Sequence, residues 1–122
     1  QLRQDKFDIA FTHLQAALRL KPNSPRVLGA VALLRARSST PELRDLAEAV
    51  RLAEQANELT GRSDLELLAI LDQVYAEAGR FADAIKLAQE IETFASNLRQ
   101  KAVAGQAAKR LEFYRAGKPY RE

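Results

Sequence analysis

The stretch "YAEAGRFADAIKLAQ", Tyr75–Gln89, places a glycine and an aromatic residue between two runs of small and branched apolar residues. Gly79 stops one helix and Phe81 opens another almost at once. A glycine is the residue that permits so tight a reversal, because it enters the left-handed backbone region without a Cβ penalty. Phe81 then fills the wedge between the two helices, and Ala84 lets them cross at short range. The stretch reads as a hairpin of helices, and it decides the fold class.

Working outward, every long segment carries the same three-and-four spacing. In "DIAFTHLQAALRL" the residues Ile9, Ala10, Leu14, Ala17 and Leu18 form one apolar stripe. Pro22 and Pro25 bracket "PNSP", which ends that helix and offers Ser24 as a cap for the next. "RVLGAVALLRA" continues to about Arg37, and Thr40 followed by Pro41 predicts a new helix start, with the helix running to Thr60. Gly61 is placed for the left-handed cap. A further helix starts at Ser63 or Asp64 and reaches Ala78, another runs from Phe81 to Ala95, and a break is expected near Ser96 and Asn97. The last helix extends to about Ala116, with Gly117 and Pro119 closing it. No segment alternates with period two, so the chain is all-α, with about six helices.

The 122 residues suit one domain, and 47% hydrophobic with 29% charged residues is the balance of a globular chain rather than a disordered one. No apolar run approaches the roughly 18 residues of a membrane span. The absence of cysteine removes disulfides, thiolate nucleophiles and cysteine metal sites, and it leaves the redox compartment open. Charge is uneven: residues 97–122 hold seven Lys/Arg against two Asp/Glu, while the first 96 are slightly acidic. The opening at Gln1, already mid-pattern and without methionine, suggests a piece of a longer protein.

Three segments superimpose. "DKFDIAFTHLQAALRLKP", "RDLAEAVRLAEQANELTG" and "GRFADAIKLAQEIETFAS" each carry an alanine (Ala10, Ala49, Ala84) followed by apolar residues four and seven further on. Each of the latter two is preceded by a helix of similar length, with small residues such as Ala32 where the pair must meet. The unit is two helices of about 34 residues. Tyr75, Gly79, Phe81 and Ala84 in one copy, and Phe7, Ala10, Ala17 and Pro22 in another, resemble the tetratricopeptide repeat (TPR). The segments around "ELRDLAEAVRLAEQANELTGRSD" and "YRAGKPYRE" look like the C-terminal module of many bacterial TPR proteins, some of them membrane-anchored.

That resemblance implies a right-handed superhelical stack of antiparallel helix pairs with a C-terminal capping helix. Residues 1–24 would be the second half of a repeat, 25–63 a repeat with an insertion near 38–44, 64–96 another repeat, and 97–122 the capping helix and tail. Asp72 and Ala69 depart from the usual pattern of such modules, which place a small residue at the first position and often Asp at the second.

Nothing in the sequence assembles chemistry. His13 is the only histidine, and no cysteine can join it around a metal. Carboxylates such as Glu54, Glu58, Glu90 and Glu92 alternate with cations, as solvated helix faces do; Glu48 with Arg51 and Asp83 with Lys86 are spaced for weak ion pairs. No glycine-rich phosphate loop is present. No catalytic residue, metal site or cofactor is expected. Instead, the first helix of each pair would line a concave groove through Arg26, Gly29, Leu33, Ala36 and Arg37, then Glu66, Ala69, Gln73, Ala76 and Glu77. Arginines at one end and glutamates at the other would suit an extended peptide of mixed charge, with Gly29 either admitting a ligand backbone or merely tolerated. The asparagine and lysine set with which chaperone-binding members hold a C-terminal carboxylate is missing.

The expected partner is therefore a protein or peptide. Two alternatives stand beside it. Phe7, Ile9 and Leu14 would leave an apolar N-terminal edge through which copies self-associate or upstream repeats stack. The tail, with Lys109, Arg110, Arg115, Lys118 and Arg121 among Phe113, Tyr114 and Tyr120, would either cap the stack or hold anionic lipid or nucleic acid. Capping is favoured, so nucleic acid is not the expected partner, and no membrane insertion is foreseen.

Overall fold

The computed structural model describes residues 2–38 and 44–121, with side chains from residue 9 onward. The described residues form six helices: α1 (Leu2–Leu20), α2 (Pro25–Arg37), α3 (Leu46–Leu59), α4 (Leu65–Glu77), α5 (Phe81–Asn97) and α6 (Lys101–Arg115). No strand occurs among the described residues, so the chain is all-α.

Helix starts follow local chemistry. Ser24 accepts from the Val27 amide at 3.4 Å, with Pro25 in the first turn, where its missing N–H costs nothing. Asp64 accepts from the amides of Glu66 and Leu67 at 3.0 and 3.3 Å. Asp45, rather than the predicted Thr40–Pro41, caps α3 by accepting from the Glu48 amide at 3.0 Å. Arg44 and Asp45 are not helical, so α3 begins at Leu46; Thr40, Pro41 and most of the expected insertion lie outside the described residues.

Four helices end in one way. The amide two residues past the cap donates to the carbonyl five residues back: Arg62 to Asn57, Arg80 to Tyr75, Gln100 to Ala95 and Lys118 to Phe113, at 2.8–2.9 Å. Each closure needs a left-handed residue just before that amide or at it. Gly61, Gly79 and Gly117 supply it with φ of 64°, 80° and 72°, but at the α5–α6 turn the residue is Arg99, with φ of 60°. The break therefore falls at Leu98–Gln100, beyond Ser96 and Asn97, and no glycine marked it.

Among the described residues α1 packs on α2 alone; α2 packs on α3 and α4, α3 on α4, α4 on α5 and α6, and α5 on α6. Helices further apart in sequence do not meet. One core joins Leu28, Val31, Leu52, Leu71, Val74 and Ile91 from α2 to α5, and a second gathers Ala76, Ala84, Leu111, Tyr114 and Tyr120. Ala32, Ala49 and Ala84 are fully buried, which lets neighbouring helices approach closely. Phe81 is half-buried against the second core, as its place beside Gly79 suggests.

Polar groups lock the pairs. Asn57 is buried and donates to the carbonyls of Ala53 and Leu67 at 2.9 and 3.0 Å, tying the end of α3 to the start of α4. Tyr75 donates to Glu54 at 2.8 Å further along, so the two helices run antiparallel. Burial and then the Glu54 bond push the Tyr75 phenol up to about 12. On the surface, Arg51 pairs with Glu48 as its spacing predicts, whereas Asp83 pairs with Arg80 at 2.8 Å instead of Lys86.

Candidate ligand-binding face

α2 and α4 lie side by side in the same sense, because early residues of one meet early residues of the other. Between their first halves opens a cavity of about 550 Å³ lined by Arg26, Ala30, Glu66, Ala69, Ile70 and Gln73. Arg26 and Glu66 are exposed, so each can offer its charge to a ligand. The floor is apolar, through Ala30, Leu67, Ala69 and Ile70. A second, more open hollow of about 580 Å³ shares Thr60, Asp64 and Glu66 with the first and continues towards Phe94, Leu98 and Val103.

Of the ten residues predicted to line a groove, Arg26, Glu66, Ala69 and Gln73 come together here. The others divide. Ala36 and Ala76 are buried in the core and do not reach the cavity. Leu33 is partly buried against the larger core. Gly29 lies beneath the floor: a methyl group added to it would stand 2.8 Å from Leu67 Cδ2 and 3.4 Å from Ile70 Cδ1. Its purpose is close packing of α2 on α4, not room for a ligand backbone. Each residue along a helix turns by about 100°, so one position either way carries a side chain from the open face into the interior.

Arg37 and Glu77 form a separate polar cluster at the far ends of α2 and α4. Arg37 Nη2 donates to Gln73 Oε1, and Gln73 Nε2 donates to the Ala69 carbonyl at 3.0 Å. Glu77, its side chain only 2% exposed, receives Arg121 Nη2 at 2.8 Å and has Arg44 Nη2 at 3.7 Å. Burial pushes its carboxyl up, and Arg121, Arg44 and Arg37 pull it back down. Arg44 also donates to the Ala36 carbonyl at 2.7 Å, closing the end of α2. The expected segregation of arginines from glutamates is absent, because Arg26 shares a cavity with Glu66 and Arg37 shares the field of Glu77.

Asp72, the departure noted in the sequence, turns out to face inward. It is fully buried and takes a forked pair of bonds from Arg110, Nε to Oδ1 at 3.0 Å and Nη2 to Oδ2 at 3.0 Å, while Tyr114 Oη donates to Oδ1 at 2.5 Å. Burial pushes the Asp72 carboxyl up to about 6 against the opposing pull of Arg110, and the phenol of Tyr114 is held far above its ordinary value. No partner can read this charge, since the protein consumes it internally. The i,i+4 spacing of Arg110 and Tyr114 puts both side chains on one face of α6.

The same contacts draw part of the tail inward, while Lys109, Arg115 and Lys118 stay exposed. Arg110, Tyr114 and Tyr120 are buried, and Tyr120 meets Phe113 edge-on with centroids 5.2 Å apart. Among the described residues no three His, Asp or Glu side chains gather as metal ligands, and no helix is long and apolar enough to cross a membrane. No family model, curated protein or solved structure matches the chain.

Proposed function

We propose that the chain is a non-catalytic protein-interaction module of the TPR type, a right-handed stack of helix pairs capped by α6, which binds an extended peptide of a partner protein across the face shared by α2 and α4. The observation that carries this reading is the cavity between those helices, whose apolar floor is flanked by Arg26, Glu66 and Gln73. Paired charges over an apolar strip suit a peptide with alternating polar and apolar side chains. The repeat spacing of Ala10, Ala49 and Ala84 supports the TPR-type stack, as does packing confined to neighbours one or two helices along. No cofactor has a role in it.

Panning a random peptide library on the full chain tests the reading. Enriched peptides should lose binding to Arg26→Glu and to Glu66→Gln, both exposed positions, with little change in melting temperature. Peptides that bind these variants undiminished would refute it.

A second reading is favoured by a specific feature of α1. This helix packs on α2 alone, and Ile9 and Leu20 are exposed on it at 59% and 83%. Copies of the chain, or repeats of a longer protein, would then stack through this edge; Phe7, expected to join it, lies outside the residues whose side chains are described. Sedimentation at rising concentration separates the two, since only edge stacking predicts a growing mass.

A further inference from the structure

The segment after α6 lies against the far end of the proposed binding face as a ligand would. Tyr120 is buried on the cluster of Ala76, Ala84, Leu111 and Tyr114. Its carbonyl accepts from Arg37 Nη2 at 3.5 Å, and the next residue, Arg121, delivers its guanidinium to Glu77 Oε1 at 2.8 Å. An aromatic ring in an apolar recess, a main-chain carbonyl on a cation and an arginine on a buried carboxylate together constitute recognition of an extended aromatic–arginine dipeptide.

The fit is incomplete, and the shortfall is specific. Among the described residues Glu77 Oε2 is buried without a donor and Arg37 Nε is buried without an acceptor. Arg121 reaches only one oxygen of Glu77, although a guanidinium can fork onto both, and its side chain remains 53% exposed. A hollow of about 470 Å³ lies beside Tyr120 and Arg121, lined also by Gln106, Lys109 and Phe113. An arginine arriving on a free peptide is not bound by the turn at Gly117 and can take both carboxylate oxygens.

We propose that Glu77 and Arg37 form an arginine-receiving subsite, which takes an aromatic–arginine segment of a partner peptide and which the chain's own Tyr120–Arg121 occupies in its absence. This rests on the peptide-binding reading of the α2–α4 face and names the chemistry at one end of it. Occupation in cis lowers apparent affinity by the fraction of molecules whose site is closed.

The probe is a fluorescent, end-blocked peptide Gly-Lys-Pro-Tyr-Arg, titrated by anisotropy into the full chain. Arg121→Ala, a change at a half-exposed side chain, should bind it about tenfold more tightly than the unaltered chain. Adding Glu77→Gln should remove the gain, with circular dichroism confirming the helices. A probe with glutamine in place of its arginine should not distinguish the unaltered chain from Arg121→Ala, a control that needs no change in the buried site. Equal affinity of the arginine probe for the unaltered chain and Arg121→Ala overturns the proposal, as does a gain that survives Glu77→Gln. If library peptides still depend on Arg26 and Glu66 while the probe fails, the subsite alone is wrong.

Discussion

Replacing Arg110 by methionine tests the internal lock between α4 and α6. Methionine keeps most of the side-chain length and the apolar contacts, and removes the forked bonds to Asp72. The carboxylate is then left fully buried with Tyr114 as its remaining donor. Breaking a buried ion pair from one side costs about 3–5 kcal/mol, because the surviving charge is uncompensated. Against a total of about 5–15 kcal/mol for a domain, this is a large share. In urea, with a slope near 2 kcal/mol/M, the midpoint should fall by about 2 M.

The stranded carboxyl escapes part of the cost by taking up a proton, so Arg110→Met should lose more stability at pH 8 than at pH 5. Adding Asp72→Asn removes the charge and should recover about 1–2 kcal/mol, since an amide oxygen still accepts from Tyr114. A single variant within about 1 kcal/mol of the unaltered chain, or a double variant no more stable than the single, would refute the account of Asp72 as an internally neutralised charge.

Three further outcomes follow from the geometry. Asp72 has a folded value of about 6 against 3.8 when exposed, so between these pH values the folded chain binds more protons than the unfolded one. Its contribution to stability, up to about 3 kcal/mol, is therefore complete below about pH 3.8 and lost as pH rises through 6; denaturant titrations across that range should show the slope, and Asp72→Asn should flatten it. Gly79→Ala should cost about 1 kcal/mol and Arg99→Gly should gain about 0.5–1 kcal/mol in thermal unfolding, because both positions hold left-handed backbone and only one has the glycine it favours. Gly29→Leu should lose about 1–3 kcal/mol through overpacking against Leu67 and Ile70, while Gly29→Ala should change stability by less than about 1 kcal/mol, since a gain in helix propensity offsets a contact with a flexible side-chain end.

Local chemistry was written plainly in the sequence. Ser24, Asp64, Gly61, Gly79 and Gly117 act within a few residues of themselves, so the helix boundaries they set are legible without knowledge of the rest of the chain. The alanines at Ala32, Ala49 and Ala84 likewise declared close helix contacts, because a repeated small residue on an apolar stripe has few other uses. Arg99 was invisible for the converse reason: its left-handed turn is imposed by the packing of α5 on α6, against its own preference.

The proposed binding face was only half legible. Helical periodicity put Arg26, Glu66, Ala69 and Gln73 on one side, yet it could not tell that Ala36, Ala76 and Gly29 sink into neighbouring helices, because that depends on how deeply α2 and α4 press together. Nor could spacing reveal that Asp72 and Glu77 are answered by Arg110 and Arg121, residues 38 and 44 positions away. The sequence by itself determined the amphipathic helices and the turns marked by Ser24, Gly61, Asp64, Gly79 and Gly117, since those depend on neighbours along the chain. Tertiary structure alone decided which charges stay exposed and which are neutralised inside, since an ion pair across helices is set by distance in space and by the water excluded around it.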